Sequence, residues 1–263
     1  MPMDFYELLQ NHIALFLLML TRNTGIFIIS PFFGGMNTPV YFRAGLAFIM
    51  SLLLFPALDE NARVSAPSSI FMYALWVLAE LFVGWIIGFV AYLTLAAITM
   101  AGKVMDMQAG FAIVNVMDPT SGQQMPLIGS FLYNLAIIVF LVTNGHHMIL
   151  SGLVESYRLV PIGDVNIADS NLPMIIVNYT AGIFLTGMKI AMPVTFAILL
   201  TNVGLGILAR TMPQMNIFVV GIPMQILVGI GVLMMLVPFY VMFLDVVFNE
   251  MFARISATLQ ELR

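Results

Sequence analysis

From Ile70 to Ala101, 32 consecutive residues carry a single charged side chain, Glu80. From Met174 to Ala209, 36 residues carry one, Lys189. Apolar runs of this length exceed the helices of a soluble core and read as membrane helices. They are also too long for plain spans. At 1.5 Å per residue the first would reach about 48 Å, against a hydrocarbon core of about 30 Å. The second holds Pro193 near its middle, and proline removes a helix hydrogen bond, so a bent helix or a helical hairpin is expected there. By contrast, the block from Ala44 to Leu58 has only 15 residues, short for one span. Six apolar blocks can be counted along the chain. The expected fold class is an all-α integral membrane protein of long kinked helices and helical hairpins. A composition of 61% hydrophobic and 8% charged residues agrees, since soluble domains carry roughly 25% charged residues.

Charge and composition exclude several classes. The net charge of −4 is spread out, with no basic tract for nucleic acid or lipid headgroups. There are no cysteines, so disulfides, thiolate metal sites and cysteine nucleophiles are excluded. The N-terminal MPMDFYELLQNH has Asp4 and Glu7 but no Lys or Arg, so no cleaved secretory signal is expected. Arg63, Arg158, Arg254 and Arg263 fall on one side of a six-span reading and Arg43, Lys103 and Arg210 on the other, a balance that leaves orientation open. The chain's two lysines, Lys103 and Lys189, stand outside any phosphate-loop motif, and no nucleophile-elbow or zinc pattern occurs. No enzyme activity and no cofactor are therefore expected.

One break divides the chain, Ala101 to Pro126, AGKVMDMQAGFAIVNVMDPTSGQQMP. Its three glycines and two prolines predict that no helix continues through it. Yet Met105, Met107, Phe111, Ile113, Val114, Val116 and Met117 are apolar. Irregular backbone at membrane depth is tolerated only inside protein or beside a water-filled cavity. Two readings stay open on these residues: a connector packed on neighbouring helices, or a segment that lines or plugs a pore. Gly102, Gly110 and Gly122 would give such a segment freedom to swing.

Single polar residues punctuate the apolar blocks. Arg22 interrupts the block from Ile13 to Phe33 and is expected to face another helix or subunit. Glu80 lies one turn before Gly84, with Gly88 a turn further, a bare strip that lets another helix approach. Adjacent His146 and His147 should point to different sides of a helix and make poor joint metal ligands, so they read as interface or helix-end residues. Lys189 and Arg210 complete the candidate subunit-interface set. Ser151 to Pro173 is polar enough to sit in water or among headgroups. In the tail, Phe248, Met251, Phe252, Ile255 and Leu259 recur at helical spacing, as on a helix lying along a membrane or a partner.

Four strings in order resemble the FliR family of flagellar type III export-gate proteins, whose virulence-secretion relatives form the injectisome T family. They are PFFGGMNTPVYFR at Pro31, AGKVMDMQAGFAIVNVMDPTSGQQMPLIGSF at Ala101, NGHHMILSGLVESYRLVPIG at Asn144, and LTNVGLGILARTMPQMNIFVVGIP at Leu200. The resemblance covers nearly the whole chain. It implies a subunit that joins FliP and FliQ in a helical, cone-shaped export gate of the bacterial inner membrane and flagellar basal body, raised toward the periplasm. FlhB would wrap the outside, and unfolded flagellar proteins would be the cargo. Residues 1–126 would form a FliP-like half and 127–263 a half with an inverted FliQ-like hairpin. The loop matching about 106–122, with Met105 and Gly110 at its start, would plug the lumen. Methionine, glycine and phenylalanine suit a deformable seal that holds no cargo by charge. The rivals are an injectisome homologue, a secondary transporter with a substrate site at Lys189, and a scaffold whose plug is supplied by partners.

Overall fold

The computed structural model describes residues 5–34, 38–59, 67, 69–111, 126–165, 171–214 and 216–262. Among them the regular structure is entirely helical. The helices are α1 (Phe5–Ile29), α2 (Val40–Asp59), α3 (Ile70–Gln108), α4 (Leu127–Val142), α5 (Gly145–Leu159), α6 (Leu172–Thr211) and α7 (Ile217–Gln260). Four of them contain stretches long and apolar enough to cross a membrane: Asn11–Ile29, Ile70–Gln108, Leu172–Thr211 and Val219–Gln260. The protein is an all-α integral membrane protein.

Two compact units are interleaved along the chain. One comprises Met1–Leu93, Asn144–Tyr179 and Asn249–Arg263, the other Thr94–Thr143 and Thr180–Phe248. In the first, Leu18, Met19, Ile26 and Phe27 of α1 are buried, as are Val83, Ile86 and Ile87 of α3. Ile149 and Leu153 of α5, and Met251, Ile255 and Leu259 of α7, complete that core. Helix α2 packs on α1, where the Phe16 ring meets Phe48 and Phe55 edge-on. In the second unit α6 and α7 form an antiparallel hairpin. The Gln225 amide donates to the Asn202 side chain, Gly229 sits against Ile198, and the Tyr240 hydroxyl donates to the Ile190 carbonyl at 2.5 Å.

Four expectations are corrected. The Ala101 break does not begin at Ala101, because α3 runs on to Gln108. Gly102 lies within the helix, and its bare Cα lets α4 pack close, since a Cβ there would collide with the Gly129 backbone. The helix ends where Gly110 takes a φ of +82°, a left-handed conformation natural to glycine. Second, the block from Met174 to Ala209 is one helix of 40 residues with Pro193 inside it, not a hairpin by itself. Pro193 offers no N–H to the Lys189 carbonyl a turn earlier, and at the same level Tyr240 of α7 donates to the next carbonyl, that of Ile190. Third, the tail is the last stretch of α7. Phe248, Met251, Ile255 and Leu259 are packed inside the chain rather than offered to a membrane or partner. Ser151 to Pro173 is likewise less wet than its composition predicts: Leu153, Ser156, Tyr157, Val160 and Ile162 are buried, while Arg158 and Asp164 are exposed.

Candidate functional site

The first unit is held around one buried charge. Arg22 and Glu80 are both 0% exposed, and the Arg22 Nε donates to Glu80 Oε2 at 2.5 Å. The Arg22 Nη1 donates to the carbonyls of Ser156 and Val160 at 3.0 and 2.9 Å. Those carbonyls lie at the C-terminal end of α5, where the Ser156 carbonyl also accepts the Val160 N–H at 2.9 Å and the Val160 carbonyl stands just past the last helical residue. A side chain 134 positions earlier therefore caps α5. The Tyr157 ring lies 4.5 Å from the guanidinium, and its hydroxyl donates to Asn23 Oδ1 at 2.8 Å. Asn23 in turn donates to Ser51 Oγ at 2.7 Å. Glu80 Oε1 accepts from the Gly163 N–H at 3.1 Å, and Gly163, at φ +82°, lies under the Trp76 ring. The countercharge and the acceptors of Nε and Nη1 all come from one chain, which is what a buried ion pair needs to be tolerated, while Nη2 is buried without a hydrogen-bond partner among the described residues.

The expected glycine strip is placed by this same contact. A Cβ on Gly84 would collide with the Arg22 carbonyl oxygen, and one on Gly25 with the Leu81 carbonyl and the Trp85 nitrogen. Gly88 faces Ile26 and Ser30. Helices α1 and α3 thus cross backbone to backbone, and Arg22 and Glu80 face each other rather than a second subunit. Asn23, Ser51, Ser156 and Tyr157 belong to the network although sequence reading does not single them out. Their signal is faint, because each is an ordinary polar residue at an apolar helix face.

The second unit holds the neck of the interrupting segment. Asp106 is buried and accepts the N–H groups of Ile128 and Gly129, both at 2.9 Å. These are first-turn donors of α4, and Pro126 at the N-cap position makes no side-chain cap. The carboxylate at the end of α3 therefore caps α4 and clasps the two ends of the segment together. Replacing Asp106 with Ala should lower stability by about 3 kcal/mol, since each charged hydrogen bond contributes about 1.5–3 kcal/mol. The unfolding midpoint of the purified protein in detergent measures this, and a midpoint equal to wild type would refute the clasp.

The chain matches the family described as "Bacterial export proteins, family 1" over residues 13–251. It belongs to that family. It is 34% identical to the flagellar biosynthetic protein FliR of Bacillus subtilis over 94% of this chain and 93% of the relative. It is 30% identical to the protein of the same name from Escherichia coli, over 92% of each chain. A third such relative, from Aquifex aeolicus, is 30% identical over 84% of each.

The remaining candidate residues of this export protein fall as follows. Met105 is fully buried in α3, whereas Met107 is 70% exposed. Gly110 sits beside Gln225 and Ile222 of α7, and Phe111 is half-buried. Ile113, Val114, Val116 and Met117 lie outside the described residues. The rings of His146 and His147 do not diverge as expected, for their centroids are 4.3 Å apart. His146 also lies near the Phe32 ring, and among the described residues no group of three metal-ligating side chains forms. Lys189 and Arg210 are exposed on α6.

Proposed function

We propose that this chain is a core subunit of the flagellar type III export gate. In this reading it assembles with FliP and FliQ into the envelope pore of the inner membrane, at the flagellar basal body. FlhB lies outside it, unfolded flagellar proteins pass through it, and the chain is a conduit part rather than an enzyme. Family membership and the names of the relatives support the flagellar member over the injectisome one.

The observation that carries the multi-subunit reading is the length of the uncovered apolar surface. Helix α6 has 40 residues, about 60 Å of helix at 1.5 Å per residue. Large apolar side chains are exposed along all of it, from Met174 and Val177 through Phe184 and Phe196 to Val203 and Ile207. A hydrocarbon layer of about 30 Å covers only half of such a stripe. Other protein must cover the rest, and this fits a gate raised out of the membrane plane. The α6–α7 hairpin is the element to compare with FliQ.

The sealing role of the loop is tested by shortening it. Because Asp106 holds Ile128 and Gly129, the ends of the segment are already together. Deleting residues 113–122 should spare both the clasp and assembly. The expected result is a complex of normal composition whose ion conductance in vesicles is several times that of wild type. An assembled complex as tight as wild type would assign the seal to partner subunits.

A further inference from the structure

Lys189 is the one charged residue of α6 before Arg210 in its last turn. It is exposed and makes no hydrogen bond or ion pair to any described residue. It opens onto a cleft of about 140 Å³ lined by Ile190, Pro193, Leu236, Phe239, Tyr240 and Phe243. The polar group of that lining, the Tyr240 hydroxyl, is already committed to the Ile190 carbonyl. The Tyr240 oxygen keeps lone pairs that could accept, yet the Lys189 ammonium makes no hydrogen bond to it, so its three donors find no acceptor among the described residues. Around it the exposed side chains are apolar: Leu185, Met188, Met192 and Phe239. An ammonium in such surroundings is costly unless something brings it a negative charge.

We infer that this cleft receives a helix of another subunit that presents a single Asp or Glu, and this inference rests on the multi-subunit reading above. The carboxylate pairs with Lys189 while its apolar neighbours fill the aromatic cleft. An anionic lipid headgroup has the same charge but fits the pattern less well. A headgroup layer at Lys189 would be followed on one side by polar surface. Instead large apolar side chains stay exposed on both sides of it, Phe184 and Leu185 in one direction and Met192, Phe196 and Val203 in the other, and exposed polar residues return only at Thr180, about 14 Å away along the helix. A lone ion pair in an apolar interface also fixes helix register and rejects partners without the acid.

The two lysines of the chain make the test specific. In a Lys103→Arg background, Lys189 is the sole lysine. An apolar carbodiimide applied to the intact complex activates a carboxyl group, and a touching lysine amine displaces the urea to form an amide. We expect peptide mapping to find Lys189 joined to an Asp or Glu of a different polypeptide. Lys189→Arg should assemble within about threefold of wild type yet form no such link, whereas Lys189→Met should recover at least about tenfold less complex. Three results would overturn the proposal: a normally assembled complex with no Lys189 link together with normal assembly of Lys189→Met, a link to an acid of this same chain, or loss of a bound anionic lipid without loss of subunits. A wild-type chain that copurifies with no other membrane protein would instead overturn the multi-subunit reading itself.

Discussion

Glu80→Ala should destabilise the protein by about 3–5 kcal/mol, the range for stranding one member of a buried ion pair. The substitution leaves the Arg22 Nε without its acceptor in a site sealed from solvent, and it frees the Gly163 N–H as well. The remaining Arg22 hydrogen bonds go to two backbone carbonyls and the Ser156 hydroxyl, and the Tyr157 ring lies over the guanidinium, but none of these carries a charge to balance it. Thermal unfolding in detergent would show the loss as a large fall in midpoint. Replacing both members with apolar residues, Arg22→Met with Glu80→Leu, should recover a good part of it, because no charge is then left buried. A Glu80→Ala protein that melts with wild type would mean that the pair contributes nothing.

Gly84→Val should be nearly as damaging, for a steric reason. Its Cβ would stand inside the contact distance of the Arg22 carbonyl oxygen, and that neighbour is backbone in the middle of a helix and cannot swing aside. Overfilling a packed site costs about 1–3 kcal/mol and more where the backbone must move. Here the separation of α1 from α3 would also lengthen the Arg22–Glu80 bond, so a loss at or above about 3 kcal/mol is expected. Gly45→Ala is the control. A Cβ at Gly45, within α2, meets nothing within 4 Å, and alanine there should be neutral or add up to about 1 kcal/mol of helix stability. If Gly84→Val and Gly45→Ala melt alike, the close crossing of the helices is wrong.

Much of the fold is legible in the apolar runs, since a stretch without charge can bury or meet lipid all round and few alternatives exist. Glu80 and Gly84 are four apart, and that spacing puts them on one face. That the face meets Arg22, 58 positions away, is a fact of tertiary packing with no local pattern. The bounds of the interruption are less legible. Gly102 and Asp106 look like helix breakers in a linear reading, yet both are helical because α4 supplies what they need, a close neighbour for one and two N–H donors for the other. Pro193 misleads as well, since the helix runs from Leu172 to Thr211 with the proline inside it. At Gly102 and Asp106 a residue that serves a distant contact resembles one that serves a local turn.

The span between Arg22 and Ser156 has a consequence for biosynthesis. At about 5–20 residues per second, a ribosome needs roughly 7 to 27 s to supply the 134 positions that separate them. Through that interval the newborn first helix carries an arginine whose carbonyl acceptors do not yet exist. The insertion machinery, or water held beside it, must shelter that residue until the fifth helix emerges.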